Sequence, residues 1–290
     1  MSLDGKTAII TGYGGIGYEV ALAIASLGAS VIIAGRDRDK GEAAAAEISR
    51  ECDSANVAFE HLDLFDPDSI RTFADNALAS RDCVDMILCV AGVMMPDELE
   101  LTGAGVERQF AVNYLGHYEL VGRLMPLLLK SDDGRVVTVS SIANRPTRFD
   151  LGDATAARGY NASVSYALSK LCCLMYAVEL GRRMPGVTAC CVHPGLARTM
   201  LFNRSGGFTM GLLRVIFFIV PVIRQSARAA ARPVVYAATS PDAVSGAYYG
   251  PLLTIIGSPR RALMPLRAKN RRLREELWSL SEKLTGVAYE

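Results

Sequence analysis

The sequence has almost no excess of charge, few histidines and no pair of cysteines at a spacing typical of metal sites. Among 290 residues, 31 are basic and 30 are acidic, which gives a formal net charge of +1. A chain this balanced lacks the electrostatic footprint of a nucleic-acid-binding protein. We therefore expect no nucleic-acid partner.

The cysteines include no CxxC pair and no Cys and His spacing of the zinc-binding kind. There are seven, an odd number, and most lie in apolar runs. This pattern indicates buried thiols in a reducing compartment and predicts no metal site. Because the strand-like segment TAIIT begins at Thr7, we expect no signal peptide or membrane anchor before the fold. We predict a cytoplasmic protein, and leave peripheral membrane contact open.

Half of the residues are apolar, which is enough for one large core. From about 7 to 200, short β-branched runs alternate with helix-compatible segments, and the runs are nearly all apolar. This pattern predicts an α/β fold of Rossmann type, a doubly wound parallel sheet, in a single domain covering 1–290. We expect an apolar addition to this domain at about 201–240 and a C-terminal strand and helix at about 241–290, with the helix over about 268–284.

The first strand-like segment runs into a glycine-rich turn, TGYGGIG, and then into a helical segment. Glycines let the chain turn tightly and let a pyrophosphate approach the N–H groups at a helix N-terminus. This order of strand, turn and helix is that of a dinucleotide-binding fingerprint. We therefore expect cofactor contacts at Gly12, Gly15, Ile16 and Gly17.

The end of the second strand indicates which dinucleotide binds. NAD-binding folds commonly carry a carboxylate there for the ribose 2′-OH, whereas an arginine suits a 2′-phosphate. Gly35 occupies the carboxylate position and Arg36 follows it, so we predict NADP(H) with Arg36 as the phosphate partner. NAD(H) stays an alternative because Asp37 comes next, and Arg36 as a solvated loop residue is another. Asp63, after the third strand, is a candidate adenine contact or a helix cap.

Candidate catalytic residues occur in two motifs. In YALSK, Tyr166 and Lys170 are four residues apart, so on a helix they project from one face. A phenol is a poor base at neutral pH, but a nearby ammonium stabilises the phenolate, which can then exchange a proton with an alcohol. The run RVVTVSS predicts a strand that ends at two serines, where a hydroxyl can bind a substrate oxygen. We choose Ser141 for that role, with Ser140 the alternative and a capping role the third reading.

Five motifs together carry a family resemblance: TGYGGIG, FAVNYLGHYEL, VVTVSSIAN, YALSK and HPGLART. They resemble the short-chain dehydrogenases/reductases, and within that family the retinol dehydrogenases and the oxidoreductase domain of WW-domain proteins. The resemblance covers most of the chain, and FAVNYLGHYEL is its most subgroup-specific part. It implies an oxidoreductase that moves hydride between a nicotinamide cofactor and an alcohol or carbonyl compound.

The resemblance also implies a role for each matching residue. Asn113 would hold a water linked to Lys170 and so complete a proton relay. Ser141 would orient the substrate, Tyr166 would be the general acid/base, and Lys170 would also bind the nicotinamide ribose. The nicotinamide pocket would be formed by Pro194 and Gly195, with Thr199 near the carboxamide.

Two departures from the family pattern affect the cofactor region. The family's TGxxxGxG loop is one residue shorter here, between Gly12 and Gly15. Its Asn-Asn-Ala-Gly turn after the fourth strand reads Cys89, Val90, Ala91 and Gly92. Ala91 and Gly92 can still offer backbone contacts to the cofactor. The hydrogen bonds of the two missing amides must be arranged in another way.

Apolar and basic segments indicate a lipophilic substrate. After Thr199 the resemblance implies a substrate lid, at about 201–240. This stretch contains LLRVIFFIVPVI, which is too short to cross a bilayer but suits such a lid or an interfacial helix. With the arginines that follow, 212–232 predicts peripheral membrane contact, and packing on the domain is an equal alternative. Seven basic residues and no acidic one occur at 260–274. We expect a retinoid, steroid or isoprenoid alcohol or its carbonyl partner.

A catalytically idle, nucleotide-binding scaffold on the same fold is the alternative function. All four residues of the implied tetrad are present, which favours the enzyme. A homo-oligomer is left open, and the sequence does not determine the direction of the reaction.

Overall fold

An eight-stranded sheet forms the centre of the computed structural model, which describes residues 2–52, 56–146, 150–156, 159–195, 226–254 and 257–289. In chain order the strands are β1 Thr7–Thr11, β2 Ser30–Gly35, β3 Val57–His61, β4 Met86–Cys89, β5 Gly134–Val139, β6 Val187–Val192, β7 Tyr248–Pro251 and β8 Pro259–Arg261. They pair in the order β3-β2-β1-β4-β5-β6-β7-β8. Every neighbouring pair is parallel except β7 and β8, which are antiparallel.

Helices cover both faces of this sheet, as predicted. They are α1 Ile16–Ala25, α2 Arg38–Glu51, α3 Pro67–Ser80, α4 Arg108–Phe110, α5 Gly116–Leu128, α6 Ala162–Arg183, α7 Ala227–Thr239, α8 Leu266–Lys269 and α9 Arg271–Thr285. A π-helical turn, Ala111–Leu115, joins α4 to α5, and a 3₁₀ turn spans Leu151–Thr155.

Successive strand residues supply two separate cores. Ile9 and Ile10 are both fully buried, but Ile9 belongs to the core under α3, α5 and α6, and Ile10 to the core under α1 and α7. This follows because neighbouring side chains of a strand point to opposite faces. The strands predicted from the nearly apolar runs are present, and the central ones are buried on both faces.

The C-terminal part differs in detail from the prediction. Two strands, β7 and β8, occur where one was expected, and the expected long helix is divided into α8 and α9 at Asn270. The Asn270 side chain accepts a hydrogen bond from Leu273 N and thereby caps α9. Of the predicted lid at 201–240, residues up to 225 lie outside the described residues, and α7 is the described remainder.

Among the described residues, α6 is long and apolar enough to cross a membrane. However, 78% of its apolar window is buried inside the protein, between β5, β6 and α9. We interpret α6 as a core helix, and it is the helix that carries Tyr166 and Lys170.

Candidate active site

The candidate site lies where parallel strands end. Val90, Ser140 and His193 directly follow β4, β5 and β6, and the carboxyl ends of parallel strands meet at one edge of a sheet. Tyr166 and Lys170 lie one turn apart on α6, with 7% and 5% of their surface exposed. The sequence-predicted tetrad is therefore supplied by α6, the π-helical turn before α5 and the end of β5.

Lys170 is held in place at this edge by the strand beside it. Its Nζ donates a hydrogen bond to Val139 O at 2.9 Å. A Cβ atom on Gly92 would lie 3.3 Å from Lys170 Nζ and 2.9 Å from Asn113 Oδ1. Gly92 thus leaves the space in which the turn after β4, the lysine and the asparagine approach one another.

Asn113 joins the turn after β4 to the catalytic helix. Its Oδ1 accepts from Val93 N at 2.7 Å, and its Nδ2 donates to Val93 O at 2.9 Å and to Ser169 Oγ at 3.0 Å. Its backbone carbonyl, within the π-helical turn, accepts from Cys173 Sγ and meets His117 Nδ1, both at 3.1 Å. Asn113 is therefore a fixed junction rather than an ordinary helix residue.

Thr11 and His117 hold the turn after β4, at the position where the family's two amides are missing. Thr11 Oγ1 accepts from Val90 N at 2.9 Å and Ala91 N at 3.0 Å, and lies 2.9 Å from His117 Nε2. Burial lowers the pKa of His117 to about 4, so the ring is neutral at physiological pH. If Nδ1 carries the proton and donates to Asn113 O, then Nε2 accepts the Thr11 hydroxyl proton. Both ring nitrogens of His117 and the Thr11 hydroxyl then have a hydrogen-bond partner.

The two serines after β5 have different surroundings. Ser140 is 2% exposed; its Oγ donates to Lys170 O at 2.6 Å and accepts from Asn144 Nδ2 at 3.1 Å. Ser141 is half-buried, and its Oγ accepts from Ala143 N at 3.1 Å, so its hydroxyl proton has no acceptor among the described residues. The Ser140 hydroxyl is fully hydrogen-bonded within the core, which favours Ser141 as the serine that contacts a substrate.

Tyr166 has a free hydroxyl among the described residues. Its backbone carbonyl accepts from Ser169 Oγ at 2.8 Å, but its phenol oxygen makes no hydrogen bond with any described residue. A nearly buried phenol without a protein partner is available to a bound molecule.

The shortened glycine loop forms a closed turn. Gly12 and Gly15 have φ values of 91° and 54°, in the left-handed region that favours glycine. A Cβ atom on Gly17 would lie 2.4 Å from Gly12 O, so the loop and the first turn of α1 touch through their backbones. The helix begins at Ile16, directly after Gly15. The loss of one residue is thus compatible with an exposed helix N-terminus for a pyrophosphate.

The two charged residues directly after β2 differ in their hydrogen bonds and ion pairs. Arg36 is exposed and makes no hydrogen bond or ion pair with a described residue. Asp37 caps α2 by accepting from Lys40 N at 3.1 Å, and it also pairs with the Lys40 ammonium. A Cβ atom on Gly35 would lie 2.6 Å from the Tyr13 ring. Only Arg36 is unengaged at this position.

Asp63 has a local partner, because its Oδ1 accepts from Phe65 N at 2.9 Å. It is not the cap of α3, which is Asp66. The adenine contact predicted for Asp63 stays a prediction.

The nicotinamide side of the predicted site is described only in part. Pro194 and Gly195 follow β6, and Gly195 has a φ of 72°. Thr199 and residues 212–225 lie outside the described residues. His193 is 3% exposed, and burial lowers its pKa to about 4; its Nδ1 has no hydrogen-bond partner in the described part of the chain.

No group of three or more His, Cys, Asp or Glu side chains suited to a metal ion occurs among the described residues. All seven cysteines are free thiols, five of them buried. Burial raises the pKa of Cys190 to about 11, which makes it a weak nucleophile.

Sequence reasoning missed several residues that build this site. His117 is four residues after Asn113 in FAVNYLGH, so helical spacing could have placed it on the same face. Thr11 stands directly before the glycine loop. Tyr248 and Asn144, which hydrogen-bond at 2.8 Å and hold the segment after Ser141, carry no signal in the sequence.

Comparisons with known proteins agree with this geometry. The sequence model of the short chain dehydrogenases matches residues 6–206. Human retinol dehydrogenase 13 is 36% identical over 296 residues, covering 99% of this chain and 86% of the relative. Human retinol dehydrogenase 12 is 35% identical over 295 residues, covering 100% and 89%. A crystal structure from Mycobacterium paratuberculosis has a TM-score of 0.81 at 33% identity, covering 100% of this chain and 96% of that one.

Proposed function

This chain belongs to the short-chain dehydrogenase family and is an oxidoreductase, and we propose that it transfers hydride between NADP(H) and a lipophilic alcohol or carbonyl compound. The observation that carries the proposal is the free phenol of Tyr166, one helical turn from a lysine whose ammonium is fixed by Val139 O. In this arrangement Tyr166 is the general acid/base.

The side chains divide the chemistry between them. When bound, the nicotinamide supplies or accepts the hydride. In the direction of reduction, the Tyr166 hydroxyl donates its proton to the carbonyl oxygen; in the direction of oxidation, the phenolate takes it back. Ser141 donates a hydrogen bond to the same oxygen and favours its developing negative charge. The Lys170 ammonium stabilises the phenolate, and Asn113 completes the proton relay.

The residues present fit a dinucleotide. The backbone turn at Gly12, Gly15 and Gly17 leaves the N-terminus of α1 open to a pyrophosphate. The unengaged Arg36 supports NADP(H), and the engagement of Asp37 as a helix cap weakens the case for NAD(H). The remaining proposed contacts are Ile16, Asp63, Ala91, Gly92, Pro194, Gly195 and Thr199.

The substrate class is proposed from the relatives and from the chain's own apolar segments. The relatives are retinol dehydrogenases by name, and the segment after Thr199 is rich in apolar residues. A retinoid, steroid or isoprenoid alcohol, or its carbonyl partner, fits both. We keep peripheral membrane contact through 212–232 as a proposal; in its described part, α7 packs on α1, and Arg228 and Arg232 are exposed.

NADPH oxidation with a panel of lipophilic aldehydes and ketones, including retinal, tests this function. Without the acid/base, Tyr166→Phe should lose about a thousandfold in kcat while NADPH binding is unchanged. Tyr236→Phe, a partly buried tyrosine on α7, is the matched control and should keep full turnover. Turnover of the wild type no greater than that of Tyr166→Phe would favour the idle scaffold.

A further inference from the structure

Four leucines of the β7–β8 hairpin and the segment after it face solvent. They are the most exposed large apolar residues in the described part of the chain: Leu252 at 57%, Leu253 at 66%, Leu263 at 86% and Leu266 at 83%. We refer to these four residues as the leucine surface. Isolated exposed leucines are normal, but four within fifteen residues need an explanation.

The charge around the leucine surface has one sign. No acidic residue occurs between Asp242 and Glu275. The exposed side chains of Arg260, Arg261 and Lys269 make no ion pair with a described residue. The next two basic side chains, Arg271 and Arg272, are paired with glutamates of α9. Unpaired cations beside exposed leucines fit a partner that is both apolar and anionic.

One end of the leucine surface, at Leu252 and Leu253, adjoins the candidate active site. Because β7 is parallel to β6, its carboxyl end at Pro251 lies at the edge of the sheet where Ser141 and Pro194 lie. A Cβ atom on Gly250 would lie 1.9 Å from His193 Nε2, so the hairpin packs directly on the segment after β6. Arg267 Nη1 donates to Pro146 O at 2.5 Å, which ties the segment around Leu266 to the loop after β5.

The hairpin geometry sets the size of this surface. Leu252 N donates to Ser258 O, and Ala262 N donates to Tyr248 O across the same ladder. Leu252 and Leu263 are therefore about five strand residues, or about 17 Å, apart along the hairpin. This span covers several lipid headgroups but is modest for a protein interface.

A second copy of the chain is a poor fit for the leucine surface. Even aromatic side chains bury about 150–250 Å² each, so four leucines supply less than the about 800 Å² per partner of a stable dimer. A two-fold interface would also bring the basic patches of both copies, with Arg260 and Arg261, into the same interface.

We propose that the leucine surface docks on an anionic phospholipid bilayer. The leucines enter the boundary between headgroups and acyl chains, and Arg260, Arg261 and Lys269 bind lipid phosphate and carboxylate groups. Docking in this way places the edge of the sheet that carries Ser141 next to the bilayer, where a lipophilic substrate would be concentrated. The leucine surface shares no residue with 212–232.

Vesicle co-sedimentation without cofactor or substrate tests the proposal, so the result does not depend on hydride transfer. The vesicles are phosphatidylcholine with about one fifth phosphatidylserine. We expect the wild type to sediment, and Leu263→Ser/Leu266→Ser to bind at least about tenfold more weakly, since each leucine loses its transfer from water. Leu78→Ser/Leu129→Ser is the matched control, because both leucines are exposed but lie outside the hairpin, in α3 and directly after α5, and it should bind like the wild type.

A second variant tests the contribution of the basic side chains to vesicle binding. Arg260→Gln/Arg261→Gln should weaken binding about thirtyfold, since each cation near an anionic surface contributes a factor of about five. Binding should fall with salt and with pure phosphatidylcholine. Wild-type protein that stays in the supernatant, or variants that bind like the wild type, would overturn the proposal. Concentration-dependent self-association abolished by Leu263→Ser/Leu266→Ser would instead assign the surface to a second copy.

Discussion

Tyr13 lies over Gly35, at the position from which a ribose-binding carboxylate would otherwise project. Any side chain at residue 35 would collide with the Tyr13 ring, and Asp37 is occupied by the start of α2. Packing against Tyr13 thus favours glycine at residue 35 whichever cofactor binds. The proposed preference for NADP(H) consequently depends on Arg36 alone, which is exposed and unpaired among the described residues.

Replacement of Arg36 tests this dependence. Arg36→Ala should weaken NADPH binding by about ten- to a hundredfold, because a charge-assisted hydrogen bond contributes about 1.5–3 kcal/mol. NADH binding should be unchanged, since NADH has no 2′-phosphate. Quenching of protein fluorescence on titration with each cofactor measures both constants. Arg38→Ala is the control, because Arg38 is exposed and pairs with Glu42. Equal affinities of the wild type for NADPH and NADH would refute the assignment.

The contact between β1 and α5 shows what the sequence could and could not predict. The strands, the glycine turn and the spacing of Tyr166 and Lys170 follow from local patterns, and all lie as expected. The contact between Thr11 and His117, which holds the turn after β4, does not, because it joins residues 106 positions apart. Such a contact exists only once β1 and α5 are packed together.

His117 in this contact predicts how the free energy of unfolding depends on pH. Burial lowers the pKa of His117 from its ordinary 6.5 to about 4 in the folded protein. Between these values the unfolded chain binds a proton that the folded chain does not, so the free energy of unfolding falls as pH drops from about 6.5 to 4. The loss is on the order of 3 kcal/mol for this residue. Urea denaturation at pH 7.5 and pH 5 measures the part of this loss between pH 6.5 and pH 5, which is about 2 kcal/mol.

Two glutamine variants separate His117 from other causes of acid sensitivity. His117→Gln keeps a donor and an acceptor but cannot take a proton, so its stability should fall less between the two pH values. His61→Gln removes an exposed histidine and should leave the wild-type pH dependence intact. His193, also buried with a lowered pKa, contributes in the same direction in all three proteins. A His117→Gln profile parallel to that of the wild type would contradict the argument.

Across the whole molecule, the end of the chain closes the core that lies behind the catalytic helix. The Tyr289 hydroxyl donates to Tyr118 O and meets the Tyr176 hydroxyl, both at 2.6 Å. Its ring lies 4.8 Å from Trp278 of α9. A Cβ atom on Gly122 would collide with Val287 and Tyr289, so α5 leaves space for the last residues of the described chain. Since Tyr176 is on α6, this contact connects the C-terminus to the element that positions Tyr166.

Loss of this closure should cost stability before it affects chemistry. Tyr289→Ala removes the ring from its cluster and should lower the free energy of unfolding by about 3 kcal/mol. Tyr289→Phe keeps the ring but removes the hydroxyl that donates to Tyr118 O and meets the Tyr176 hydroxyl, a cost of about 1 kcal/mol. Ala288→Ser, at the exposed neighbouring position, is the control. Because Tyr289 contacts neither Tyr166 nor Lys170, kcat at a temperature where all variants are folded should stay within about twofold of the wild type. Thermal denaturation and steady-state kinetics on the same samples separate the two effects, and a large fall in kcat without a fall in stability would show that the C-terminus acts on the site directly.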